Sequence, residues 1–203
     1  MKRSLLDRVS DISKIHDRAA FVDVEHQIKK HAGSDAFLRL ADKRYSCRAF
    51  SHRPVSAAKI RKILEAGRLA PSAKNLQPVH VWVVCTEEAL SRIRIVHSCY
   101  DAPVVLMVGY KASEAWVRPV DGKNSAEVDA AIVGTHMMLA ATDLELDSVW
   151  IGSFDPAPLH ELFPETEGYE IAFLLPVGHA AAHAEPSSMH TERQDLATFA
   201  TQL

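Results

Sequence analysis

The apolar positions Ile60, Ile63, Leu64, Gly67 and Leu69 recur near helical spacing, with Lys59, Arg61, Lys62 and Glu65 between them. This predicts an amphipathic helix from about Ala57 to Leu69, capped by Ser56 and stopped by Pro71. Two short apolar runs, within Val79 to Thr86 and Pro103 to Tyr110, read as buried strands, and a helical pattern over Glu87 to His97 separates them. Ser125 to Leu146 is the longest helical pattern. Its Val128, Ala131, Ile132, Thr135, Met138, Leu139 and Thr142 are mostly small or apolar, as in a helix central to a core or to a subunit interface. Val149 to Gly152 and Ile171 to Val177 supply two more strand-like segments. Strands alternating with helices predict an α+β or α/β fold, helices covering a central sheet.

Upstream, Ser34 is placed to cap a helix through Phe37, Leu38 and Leu40, which delivers the chain to Arg44. Earlier still, Leu5, Val9, Ile12, His16 and Ala19 share one face of an amphipathic helix. Residues 1–33 read as an N-terminal helical extension, packing on its own domain or on a second subunit, ahead of one domain over 34–203. Lys111 to Ser125 is polar, contains Pro119, Asp121 and Gly122, and reads as a mobile loop. Trp116 within it is either a lid over a ligand or an anchor for the loop.

With 203 residues, 47% of them hydrophobic, the chain suits one folded domain. A formal charge of −3 argues against nucleic acid or an anionic membrane as partner, so clustered arginines read as local ligands. Cys47, Cys85 and Cys99 form no C-x-x-C pair, suggesting neither a disulfide framework nor a zinc knuckle. No signal-peptide core or membrane-length apolar run is present, and a soluble cytoplasmic protein is expected.

Two polar clusters flank the first amphipathic helix. Arg44 and Arg48 bracket Ser46, and Ala70 to Pro78 (APSAKNLQP) packs Pro71 and Pro78 around Ser72, Asn75 and Gln77. Arginine forks and a serine hydroxyl suit a phosphate, so the expected ligand carries an anion at one end and a flat polar heterocycle at the other. A third stretch, Trp150 to Pro156 (WIGSFDP), holds Gly152, where backbone can approach a flat ring. Its simpler reading is a strand-to-helix turn in which Ser153 or Asp155 caps a helix toward Leu162.

Together these motifs resemble the FMN-dependent nitroreductase family, from about Asp35 to near the C-terminus. The resemblance implies a mixed, antiparallel-rich central sheet flanked by helices, a domain-swapped C-terminal tail, and a homodimer with FMN at the subunit interface. It implies that Arg44 takes the phosphate with Ser46, that Tyr45 lies in the same motif, and that Arg48 stabilises reduced flavin near N1 and O2. Gly152 and Ser153, following Ile151, would offer main-chain N–H groups to flavin N5 and O4. Pro71, Ser72, Asn75 and Gln77 would reach in from the other chain, and Arg193 in the tail would be a second phosphate cation. Hydride would pass from NADPH or NADH through flavin N5 to an electron-poor acceptor such as a nitroaromatic, quinone or enone. No side chain need act as acid or base, so no catalytic residue is assigned.

Two departures from the family pattern stand out. Glu145 and Asp147 replace glycines after the long helix, where a left-handed turn is usual, which predicts a rebuilt turn. Val79 replaces a tryptophan, which predicts a wider pocket. Other features read as structural. His179, His183 and His190 lack the setting of a metal site, Lys74 reads as solvated, and Cys47, although between arginines that would depress its pKa, reads as a packed thiol. The alternatives are another flavin enzyme on this scaffold, such as a reductive dehalogenase or flavin-consuming enzyme, and a flavin storage or redox-sensing protein without turnover.

Overall fold

The structure is a computed structural model that describes residues 36–202. The helix expected from Leu5 to Ala19 and the Ser34 cap lie outside them, and the first described helix is α1 (Ala36–Lys43). The chain divides into two compact units. One spans Leu40 to Ser187, and the other includes the described residues 36–39 and 188–202. In the second unit a 3₁₀ turn, Ser188–Thr191, precedes a short helix at Leu196–Phe199.

The larger unit is built on four antiparallel strands: β1 (Val79–Val84), β2 (Val104–Tyr110), β3 (Asp147–Ser148) and β4 (Glu170–Gly178), in the order β1-β2-β4-β3. β2 is buried on both faces, which explains its unbroken apolar run, VVLMVGY. Val105 and Met107 join Leu174 in a core cluster on one face, with α3 (Glu87–Val96) and α5 (Leu159–Leu162). Val104, Leu106 and Val108 join Phe173, Leu175 and Val177 on the other, with α2 (Ala57–Arg68) and α4 (Ala126–Asp143). This period-two split makes a helix–sheet–helix sandwich, the α+β arrangement expected.

Local signals explain the element ends. Ser56 Oγ accepts the Lys59 N–H to cap α2, and Thr86 does the same for α3 through Ala89. α2 lies close on α4 because Gly67 faces Met137, where a Cβ would stand 2.8 Å from the Met137 side chain. α4 ends in a Schellman turn: Leu146 N–H donates to Ala141 O (2.9 Å), Glu145 N–H to Thr142 O (3.1 Å), and Glu145 adopts φ +56°. The left-handed turn is therefore kept and not rebuilt, a glutamate occupying a position that favours glycine. Lys59 Nζ also donates to Leu144 O at 2.6 Å, placing a cation at the carbonyl end of the helix. Asp147 needs no left-handed backbone. It lies in β3, where Oδ2 accepts the Ala180 N–H at 3.1 Å.

The third strand is two residues long and starts earlier than Val149 to Gly152. Trp150 breaks the ladder, and Ile151 rejoins it alone, opposite Leu174. The Lys111 to Ser125 loop is folded on itself: Val117 bridges Asn124, Arg118 pairs with Asp121, and Asn124 accepts the Ala126 N–H while donating to Ala112 O.

Candidate functional site

Arg44, Ser46 and Arg48 alternate with Tyr45 and Cys47 on a short extended segment. Extended backbone sends successive side chains to opposite sides. Cys47 is fully buried and Tyr45 packs on the same core cluster. Arg44 and Ser46 are half-buried and Arg48 is exposed. A spacing of two therefore presents two cations and a hydroxyl together. Among the described residues nothing engages the Arg44 guanidinium, and Arg48 Nη1 makes only a long contact, 3.4 Å, with Ser46 O.

This segment continues the sheet beyond β3. Ser46 bridges Ser148 in parallel, with Cys47 N–H donating to Ser148 O at 3.0 Å, and Phe50 bridges Ala180. Ser148 is 1% exposed, and among the described residues its hydroxyl has no partner. Burial pushes the Cys47 thiol up, the Asp147 charge acts in the same direction, and the thiol donates to Ala49 O at 3.2 Å. Burial, the Cys47 thiol and the Asp147 charge likewise raise the Tyr45 phenol.

The same edge carries the third cluster. Ile151 is buried and exchanges both backbone hydrogen bonds with Leu174, at 2.9 and 3.0 Å. Gly152 and Ser153 then turn outward, exposed, and neither amide donates to any group among the described residues. A Cβ on Gly152 would meet nothing within 4 Å. Two exposed N–H groups with no acceptor among the described residues, beside open space, can meet the acceptor edge of a flat ring. Behind them Trp150 stacks on Phe173 (3.5 Å between ring centroids, 21°) over Gly134 of α4. Asp155 accepts the Ala157 N–H at 3.0 Å and forms a turn; it does not cap α5, which begins after Pro158.

The second cluster has unusual backbone. Lys74, Asn75 and Gln77 all have positive φ (51°, 56° and 53°), a cost for residues with a Cβ that surrounding structure must offset. Ser72 organises the turn: its carbonyl accepts Asn75 N–H (2.9 Å) and its hydroxyl accepts Gln77 N–H (3.0 Å). Pro71, Lys74, Asn75 and Gln77 are exposed. Asp129, in the first turn of α4, accepts the Ala73 N–H at 3.0 Å and the Ser125 hydroxyl at 3.0 Å. Sequence reasoning missed Asp129, Ser148 and Trp150. An acidic residue starting a helix reads as a complement to the helix dipole, and nothing in its spacing points to Ala73.

The fold joins the first and third clusters but sets the second apart. Gln77 and Pro78 lead into β1 at one edge of the sheet, whereas Ser46 lies beyond β3 at the other. Four strand spacings of about 4.8 Å separate those edges by roughly 19 Å. Arg193 is exposed in the other unit, where its Nη1 donates to Glu192 O. Val79 lines a groove of about 520 Å³ between α2 and β1. Trp116 is half-buried beside a pocket of about 330 Å³ with Ala73, Val128 and Ile132. No group of three or more metal-ligating side chains occurs among the described residues, and no described helix is long and apolar enough to cross a membrane.

A sequence model of the Nitroreductase family matches residues 41–99 and 95–179. A protein of Methanothermobacter thermautotrophicus, provisionally named NADH dehydrogenase/NAD(P)H nitroreductase, is 30% identical over 172 residues, covering 74% of this chain and 83% of its own. The crystal structure of a nitroreductase family protein from Clostridium difficile 630 superposes with a TM-score of 0.74 at 35% identity, over 80% of this chain and 95% of that one. A protein from Exiguobacterium sibiricum 255-15, provisionally named a nitroreductase and solved in complex with FMN, gives 0.72 at 20% identity over 84% and 98% of the two chains, a likeness of fold.

Proposed function

The chain belongs to the nitroreductase family and is an oxidoreductase, and we propose that it binds FMN and carries hydride from NADPH or NADH to an electron-poor acceptor such as a nitroaromatic, quinone or enone. The observation that carries the reading is the pairing of Ser46 with Ser148, which sets unpaired cations and unpaired backbone donors on one edge. When bound, FMN supplies the hydride chemistry. The protein holds and orients it.

In this reading Arg44 and Ser46 hold the phosphate through charge-assisted hydrogen bonds. Gly152 and Ser153 direct N–H groups at the ring edge, with Ile151 anchoring their turn and Tyr45 anchoring the arginines from the core side. Arg48 places fixed positive charge where reduction adds negative charge, favouring the reduced form.

The protein works as a homodimer. Gln77 leads into β1 at the sheet edge opposite the one that carries Ser46, which supports a second copy supplying Pro71, Ser72, Asn75 and Gln77. Val128, Thr135 and His136 leave an exposed face on α4 for that copy. The turn after α4, although it departs from the family pattern at Glu145 and Asp147, closes with ordinary hydrogen bonds and lends no support to a flavin protein without turnover. Turnover of NADPH or NADH by FMN-loaded protein with nitroaromatic, quinone and enone acceptors tests the reading. Consumption dependent on an acceptor supports it. Turnover only with haloaromatics or free reduced FMN, or none at all, sinks it.

A further inference from the structure

We propose that Asp129 is a positioning residue for the flavin site, acting through the Ala73 amide to fix the left-handed segment that carries Asn75. The inference rests on the FMN-binding reading above. Asp129 is 2% exposed, and no ion pair joins it among the described residues. Burying a carboxylate without a cation is costly unless its oxygens are hydrogen-bonded. Here Oδ1 accepts the Ala73 N–H and Oδ2 the Ser125 hydroxyl, each at 3.0 Å, and the N-terminal end of the 18-residue α4 favours a negative charge in its first turn.

The other hydrogen bonds of the Pro71 to Gln77 segment are local: Asn75 to Ser72, Leu76 to Ala73, Gln77 to Ser72 and to Asn75. Pro78 O, at its end, accepts Lys111 N–H. Local bonds fix the shape of a turn but not its place on the protein. Ala73 immediately precedes Lys74 and Asn75, the first two left-handed residues, and the bond to Asp129 ties that point to the rigid long helix. The Asn75 carboxamide is exposed and has no partner among the described residues, so its aim is set by the backbone beneath it. The charge lies on the acceptor, which makes this a strong form of the bond.

The test is FMN affinity, read by quenching of flavin fluorescence on titration into apo-protein, for wild type, Asp129→Ala, Asp129→Asn, Asn75→Ala and the Asp129→Ala/Asn75→Ala pair. Asp129→Ala is expected to weaken binding about ten- to a hundredfold, the range for losing a hydrogen bond to a charged group. Asp129→Asn retains a carbonyl acceptor for Ala73 and a donor for Ser125, and should recover affinity to within a few-fold. The double variant should bind no worse than the weaker single variant, because both changes remove the same contact.

Ala73→Pro is the second route should Asp129→Ala fail to fold. It deletes the N–H, and Ser72, at φ −131° and ψ 159°, already has the extended backbone required before proline. It should weaken FMN as Asp129→Ala does. Wild-type affinity in Asp129→Ala or Ala73→Pro, or losses that simply add in the double variant, would overturn the proposal. Failure of the wild type to bind FMN would instead overturn the functional reading beneath it.

Discussion

Ser46 and Ser148 lie side by side in a parallel bridge, locked by the Cys47 amide donating to Ser148 O at 3.0 Å. Residues about a hundred positions apart in the chain thereby put the Arg44 to Arg48 segment on the same sheet edge as the turn through Gly152 and Ser153, whose amides have no acceptor among the described residues. Arg44 has no protein partner among the described residues, so removing it should leave the fold intact. Arg44→Ala is expected to weaken FMN binding about ten- to a hundredfold with an unchanged thermal midpoint. Fluorescence titration and thermal unfolding check both halves, and a large fall in the midpoint would assign Arg44 to the fold instead.

Glu145 occupies the left-handed position of the Schellman turn, where a Cβ is unfavourable and glycine is not. Glu145→Gly should stabilise the protein by about 1 kcal/mol in urea unfolding. Loss of stability would mean that the glutamate side chain makes a contribution larger than the backbone relief.

Gly134 has no room for a side chain. A Cβ there would lie 2.4 Å from Phe173 Cζ and 2.5 Å from Trp150 Cζ3. Gly134→Ala should destabilise by about 1–3 kcal/mol, the usual cost of overpacking, and alter Trp150 fluorescence as the stack shifts. Wild-type stability and emission would contradict the packing described.

Burial, with the positive charges of Arg53 and Lys59, holds His179 below the ordinary imidazole value, against a smaller opposite effect of Asp147. The unfolded chain takes up this proton near pH 6.5 while the folded chain resists it. Stability associated with His179 is thus present above about pH 6.5 and lost as pH falls toward the depressed folded value. His179→Gln should flatten that part of the stability profile in urea titrations at stepped pH; an unchanged slope would remove His179 as its source.

Much of this architecture is legible in the residues. Ser56 and Pro71 bound α2 to within a residue, and the apolar run of β2 announces burial on both faces. The failures have physical causes. Trp150 leaves the ladder to stack on Phe173, a tertiary contact no local pattern encodes, so the third strand is misplaced. The loop before α4 closes through Asn124 and Arg118, whose polar side chains read equally well as solvated. In the site, motif residues could be named from resemblance, but the spacing of Arg44, Ser46 and Arg48 gains meaning only with Cys47 buried between them. The hold of Asp129 on Ala73 spans 56 positions and leaves no trace in either neighbourhood.

The edge formed by Arg44 to Arg48 and Ile151 to Ser153 is proposed to hold a flavin that nicotinamide reduces. The most direct measurement is the visible absorbance of purified protein after FMN addition and desalting, followed anaerobically as NADPH or NADH is added. A retained flavin spectrum that bleaches with at least one donor is expected. Flavin lost on desalting would contradict the assignment of the site, and retained flavin that neither donor bleaches would contradict the assigned reaction.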